Sequence, residues 1–269
     1  MRRGKTCVDK IASFLTVRMM MTPKSELCIF KSEDSVSYAL SVMKENNYDV
    51  APVETDGVLD RFVEKGKLMG KLGSLTCVKV AQFITIKNIV SEHTSIENLL
   101  SLFCQQDFFF VIRQGEVAGI ITYADLNKRV VKTLFYLLVS ELEELLIKLI
   151  KHRFPKIEDC LKYVSPKRRK ELQKTLIEAK KGNTEISMEH YLCISDIITI
   201  ISKDVELTKS FGFTKSQARK ILNPLVELRN RVVHQRSLIT SKEEKVKLKE
   251  KYGILRDLTQ RARNIVFED

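Results

Sequence analysis

The chain has 269 residues, 44% of them hydrophobic and 30% charged, with ten Gly, five Pro and no Trp. Those proportions exclude wholesale disorder and collagen-like or linker-dominated chains, and at roughly 100–200 residues per domain they point to two compact units. The net charge of +12 is uneven, with 17 Lys and Arg against 15 Asp and Glu in residues 1–130 but 29 against 19 in residues 131–269, so the second half carries either a solvated basic face or a footprint for a polyanion.

Met1-Arg2-Arg3 is basic, but the apolar run Ile11 to Val17 is short and no small-residue cleavage site follows it, which argues against a secretory signal. No stretch approaches the ~18 apolar residues of a membrane span. The longest candidate, Leu134 to Ser140, is flanked by Lys132 and Glu141. Cysteines at 7, 28, 77, 104, 160 and 193 form no C-x-x-C pair, a pattern of reduced thiols in a cytoplasmic protein. His93, His152, His190 and His234 show no clustered spacing with Cys or carboxylates, so no metal site is expected.

The first half alternates short strands and helices. Cys28-Ile29-Phe30 is apolar, Asp34-Ser35 supplies an N-cap, and Val36, Ala39, Leu40 and Met43 follow at helical spacing. Val50 to Val53 predicts a strand, Asp56-Gly57 a turn and Arg61-Phe62-Val63 a second strand. The grammar then returns: strand Ile89-Val90, a capping-box spacing at Thr94 to Glu97, helical Leu99 to Phe103, strand Phe108 to Ile112, turn Gln114-Gly115 and strand Val117 to Thr122. This is an internal repeat of roughly 60 residues, each copy β-α-β-β-α.

The second half predicts helices throughout. One pattern runs from about Asp125 to Phe154, limited by Pro155 and long enough to join two domains; Lys167 to Lys181 ends at Gly182-Asn183; Met188 to Phe211 stops at Gly212. Gln217 to Arg236 is interrupted at Asn223-Pro224, read as an N-cap with Pro at the first helical position, and Lys242 to Phe267 is partly broken at Gly253. The fold class is therefore an α+β N-terminal half, residues 1–130, followed by an all-α helical bundle, residues 131–269.

Met21-Thr22-Pro23 ahead of two such repeats resembles a tandem pair of CBS domains, and the segment Gly119 to Leu126 carries the sharpest likeness. The resemblance implies an adenosyl nucleotide such as AMP, ADP or ATP touching Gly119, Ile121, Thr122 and Asp125, with Thr122 by a phosphate and Asp125 on the ribose. The chemistry fits, since a helix N-terminus presents free N–H groups to an anion and an acceptor-only carboxylate suits a diol. The competing reading is that Thr122 and Asp125 simply cap a helix. The first repeat has Glu64 and Lys67 at the matching positions, so one good site per chain is expected.

Within the helix after Pro224 stands Arg229-Asn230-Arg231-Val232-Val233-His234. This R-N-x-x-x-H run in a basic helical bundle resembles the HEPN superfamily, many of whose members are metal-independent RNases. The resemblance implies catalysis by Arg229, Asn230 and His234 from both chains of a homodimer, acting on single-stranded RNA with no catalytic cofactor; the helix from Asp125 to Phe154, which starts at the carboxylate expected to hold ribose, is expected to transmit nucleotide state to that site. RNA cleavage needs proton transfer and stabilisation of phosphorane charge, which an imidazole and a guanidinium supply. Asn230 and His234 share a helix face, whereas Arg229 lies roughly 140° from His234, so two chains satisfy the geometry more easily than one. Against catalysis, His234 could cap the helix end and Arg229 could pair with Glu141, Glu143 or Glu144. Lys167-Arg168-Arg169-Lys170 is a further candidate for backbone phosphates. Two other functions remain: a non-enzymatic adenine-nucleotide sensor, and a DNA-binding transcription regulator using a helix-turn-helix around Phe213 to Leu222, which Pro224 would interrupt.

Overall fold

The computed structural model describes residues 6–70, 75–181 and 191–268. The Gly182-Asn183 stop, the Met188 helix start, His190 and Met1-Arg2-Arg3 lie outside them. The chain divides into two compact units, Ser13–Lys128 and a second formed by Met1–Ala12 with Arg129–Asp269.

After α1 (Cys7–Phe14), the first unit runs β1 (Thr22–Pro23), β2 (Phe30–Lys31), α2 (Val36–Glu45), β3 (Val50–Thr55), β4 (Val58–Glu64) and α3 (Lys65–Leu68). It continues as α4 (Cys77–Val80), β5 (Gln82–Phe83), β6 (Ile89–Ser91), α5 (Ile96–Phe103), β7 (Phe108–Arg113), β8 (Glu116–Thr122) and a 3-10 turn, Tyr123–Asn127. α2 starts where Ser35 Oγ accepts the Tyr38 N–H, and α5 where Ser95 Oγ accepts the Asn98 N–H, both at 3.2 Å. The Thr94 to Glu97 capping box does not form, because the Thr94 N–H is spent on Ser91 O and the cap falls to Ser95. Both hairpins turn through paired left-handed residues, Asp56-Gly57 (φ 51° and 80°) and Gln114-Gly115 (φ 52° and 85°), the geometry that two-residue hairpins favour.

The strands form two four-stranded sheets, β2-β3-β4-β5 and β6-β7-β8-β1. One edge strand of each sheet is exchanged: β1 precedes the first repeat but pairs with β8 of the second, and β5 leads into the second repeat but pairs with β4 of the first. Leu59 and Phe62 from one sheet meet Phe110, Val117 and Ile120 from the other, and the Phe62 ring centroid lies 5.4 Å from Phe108 and 5.5 Å from Phe110. The Phe62–Phe108 edge contact and the apolar side chains around it are buried between the repeats and hold them together.

The described part of the second unit after Lys128 is helical: α6 (Arg129–Arg153), a 3-10 stretch Ile157–Tyr163, α7 (Pro166–Lys181), α8 (Ile194–Lys203), α9 (Val205–Ser210), α10 (Lys215–Val233) and α11 (Glu244–Glu268). α6 packs against α8, α10 and α11, burying Leu134, Leu138, Leu142, Leu146 and Ile150. α1 joins this unit through Asp9, which binds Arg256 at 2.6 Å and Arg263 at 3.3 Å, while Arg263 also reaches Glu141 at 2.5 Å.

Four helix boundaries differ from the sequence reading. The long helix begins at Arg129, not Asp125, because residues 123–127 form a 3-10 turn and Lys128 is extended at φ −65°, ψ 152°. The Met188 to Phe211 pattern splits at Asp204, whose carboxylate caps α9 through the Leu207 N–H at 2.9 Å while accepting from Tyr163 and Arg153. α10 runs through Pro224 unbroken from its Thr214 capping box, so Asn223 is not an N-cap. A mid-helix Pro costs about 3 kcal/mol, and the buried stripe Ala218, Leu222, Leu225, Leu228 and Val232 offsets it. α11 likewise continues through Gly253.

Candidate functional sites

At the end of β8, Asp125 is nearly buried. Its Oδ2 accepts the Thr122 N–H at 2.6 Å and the Thr122 hydroxyl at 3.1 Å, and its Oδ1 meets Lys128 Nζ at 2.8 Å. Lys128 also donates to Met20 O at 2.7 Å. The two carboxylate oxygens offer about four lone pairs, and among the described residues these contacts use three of them. Thr122 and Asp125 therefore do cap the turn, and Lys128, which the sequence reading did not single out, already neutralises the carboxylate. The i, i+3 spacing of Asp125 and Lys128 was the available signal.

Gly119 and Ile121 have structural duties of their own. Gly119 pairs with Pro23 across β1 and β8, and a Cβ there would lie 2.3 Å from Thr22 O. Ile121 is fully buried opposite Phe109. At the matching place in the first repeat, Lys67 Nζ sits 2.5 Å from Glu64 Oε1 and 2.8 Å from Gln82 Oε1, and Gln82 donates to Glu64 at 2.9 Å. This closed polar triad occupies the Lys67 ammonium, which is therefore not free to meet an incoming anion.

The second candidate lies on α10. Arg229 is half-buried, with Nε 3.6 Å from Glu143 Oε1 on α6. Burial pushes the Glu143 carboxyl above its ordinary value, and the Arg229 charge offsets only part of that rise. Among the described residues Glu143 Oε1 has no hydrogen-bond donor, so this is a loose pair. Tyr136, Ser140 and Val233 close a cavity of about 70 Å3 around Arg229 and Glu143, far below the ~300 Å3 of a small-ligand pocket. His234 ends the helix: its backbone N–H reaches Asn230 O at 3.0 Å, and its side chain is exposed. Among the described residues its imidazole has no hydrogen-bond or ion-pair partner. Neither His234 nor Asn230 lines the Arg229 cavity. The intervening Arg231 is structural, pairing with Glu227 at 2.8 Å and holding the Ser237 and Leu238 carbonyls.

The sequence matches no family model and no curated protein. It is similar to solved CBS-domain structures. The CBS domain of a bacterial CNNM/CorC family Mg2+ transporter in complex with ATP is 22% identical over 46% of this chain and 93% of that one, with a TM-score of 0.37. The CBS domains of a transcriptional regulator from Streptococcus pneumoniae are 23% identical over 41% and 95%, TM-score 0.37. CbpB in complex with c-di-AMP is 18% identical over 47% and 93%, TM-score 0.39.

Among the described residues no helix is long and apolar enough to cross a membrane, and no group of three His, Cys, Asp or Glu side chains is placed to hold a metal ion.

Proposed function

We propose that this chain is an adenine-nucleotide-regulated, metal-independent endoribonuclease acting on single-stranded RNA. Residues 13–128 serve as a tandem CBS module that takes the nucleotide at Thr122 and Asp125, and the helical unit serves as a HEPN-like nuclease. The observation that carries the catalytic reading is the exposed imidazole of His234, unpartnered among the described residues, at the end of the same helix that presents Arg229. A capping histidine would spend its ring on the last carbonyls; here the backbone N–H does that work instead. In a homodimer, His234 moves the proton between the 2′-hydroxyl and the leaving 5′-oxygen, Arg229 stabilises the phosphorane charge, and Asn230 orients the phosphate. The cavity beside Arg229 is too small for a nucleotide, which supports a site completed by a second copy.

Incubating the protein with labelled single-stranded RNA and EDTA, with and without AMP or ATP, tests the reading. Cleavage to 2′,3′-cyclic phosphate ends is expected, at a rate that nucleotide changes. The Arg229–Glu143 pair favours a second reading, a non-enzymatic nucleotide sensor, and absence of any cleavage with intact nucleotide binding would select it. A duplex-binding helix-turn-helix is less well supported, because Arg261 on α11 lies 5.3 Å over the Phe213 ring and binds Phe211 O, covering the α9–α10 turn.

A further inference from the structure

Residues 148–174 hold ten Lys and Arg against three Asp and Glu, a large part of the whole chain's excess. Some of these cations have structural partners: Lys148 binds Glu144, Arg168 binds Asp196 at 2.9 Å, and Lys174 faces Glu178. Lys156, Lys162, Lys167, Arg169 and Lys170 have no carboxylate partner among the described residues. Lys162 and Arg169 line a groove of about 560 Å3 at the end of α6, the 3-10 stretch Ile157–Tyr163 and the start of α7, together with Arg153 and Gln173; Lys156 precedes the 3-10 stretch, and Lys167 and Lys170 stand on the same first turns of α7 as Arg169.

The cations in the walls are held in place. Arg169 donates Nε to Leu161 O at 2.9 Å and Arg153 directs Nε to Asp204 at 3.4 Å, so neither bond uses the terminal amino groups. Lys162 Nζ stands 5.2 Å from the Tyr163 ring centroid and 5.8 Å from that of Phe154. A guanidinium anchored through Nε keeps a fixed fork for an oxyanion. Phe154 is buried, so the groove offers no exposed ring for base stacking. Glu158 and Asp159 also line it and repel phosphate, which leaves Arg153, Lys162 and Arg169 as the attractive side of the groove.

We propose that this groove is a sequence-independent subsite for the phosphate backbone of single-stranded RNA, separate from Arg229 and His234. It rests on the RNA reading above and assigns where the strand is held rather than cut. The test uses a 5′-fluorescein 2′-O-methyl oligouridylate 12-mer, which cannot be cleaved through its 2′-oxygen, followed by anisotropy from 50 to 200 mM KCl. Lys162→Gln/Lys170→Gln, both exposed positions, should weaken binding and lower the salt slope by about 0.7 per cation removed, or about 1.4 in total. Arg169→Gln should act in the same direction, with its thermal midpoint checked because Leu161 O loses a donor. The control pair Lys215→Gln/Lys220→Gln on α10 should retain the full slope. Wild-type affinity and slope in the first pair, an equal loss in the control, or no binding by the wild type would each overturn the subsite. RNA bound through the groove but never cleaved would overturn the nuclease reading alone, and cleavage with an unchanged slope would overturn the subsite alone.

Discussion

Gly119→Ala separates a structural glycine from a ligand-contacting one. The added Cβ would stand 2.3 Å from Thr22 O and 3.2 Å from Pro23 Cα, both backbone atoms. That is about 1 Å inside the closest ordinary C···O approach of ~3.3 Å. No rotamer change relieves a clash with backbone, so β1 must withdraw from β8. The pairing of Thr22 with Ile120 and Pro23 with Gly119 then weakens at about 0.5–1.5 kcal/mol per hydrogen bond, with ~1–3 kcal/mol of residual overpacking. A loss of about 2–4 kcal/mol is expected, read by urea unfolding with far-UV circular dichroism in the absence of nucleotide. Gly66→Ala is the matched control, since its Cβ would meet nothing within 4 Å and its φ is not positive. It should stay within about 1 kcal/mol of wild type or gain slightly as a better helix former. If Gly119→Ala unfolds with the wild-type midpoint, β1 does not lie where the structure places it.

Asp125→Ala should lower both stability and ATP affinity, because the carboxylate caps the turn and binds Lys128; about 2–3 kcal/mol of stability is at stake, and calorimetry showing unchanged ATP affinity would detach the nucleotide from Asp125. His234→Ala and Arg229→Ala should each cut RNA cleavage by ~10²-fold or more, and wild-type rates in a gel assay of either variant would remove it from the mechanism. Acid titration should expose Asp9: burial alone would raise its carboxyl, but hydrogen bonds from Arg256 and Thr6 outweigh it and hold the pKa at about 2. Since the folded value is depressed, that contribution is complete above about pH 4 and disappears as pH falls towards 2. Asp9→Asn should flatten this part of the stability curve, and an unchanged acid limb would count against the Asp9–Arg256 pair.

The repeat and its turns were legible because Asp-Gly and Gln-Gly between apolar runs force left-handed pairs, and Ser35 precedes a helical apolar spacing. The exchanged strands were not, since Thr22-Pro23 and Gln82-Phe83 are too short to carry any periodicity. Pro224 reads as a boundary by its own chemistry, and only the tertiary burial of Leu222, Leu225 and Leu228 carries the helix through it. The break before α6 leaves no mark in the sequence for a related reason: Lys128 is an ordinary helix former, and its bonds to Asp125 and Met20 O hold it extended. At the catalytic candidate, the sequence put Arg229 within reach of three acids on α6, and packing selected Glu143. The 140° offset between Arg229 and His234 was calculable from helix geometry alone.

The exchange of edge strands also sets a timetable for synthesis. Thr22 pairs with Ile120, about 100 residues later in the chain, so at ~5–20 residues per second β1 waits roughly 5–20 s for its partner. During that interval the first repeat can close β2, β3 and β4, but its own outer strand, β5, arrives only with Gln82. The nascent chain therefore passes through a stage with an uncovered β4 edge and an idle β1, the conditions under which strands find the wrong neighbour. The β4 edge closes when Gln82-Phe83 emerges, and β1 finds its place only after β8 follows, roughly 40 residues later.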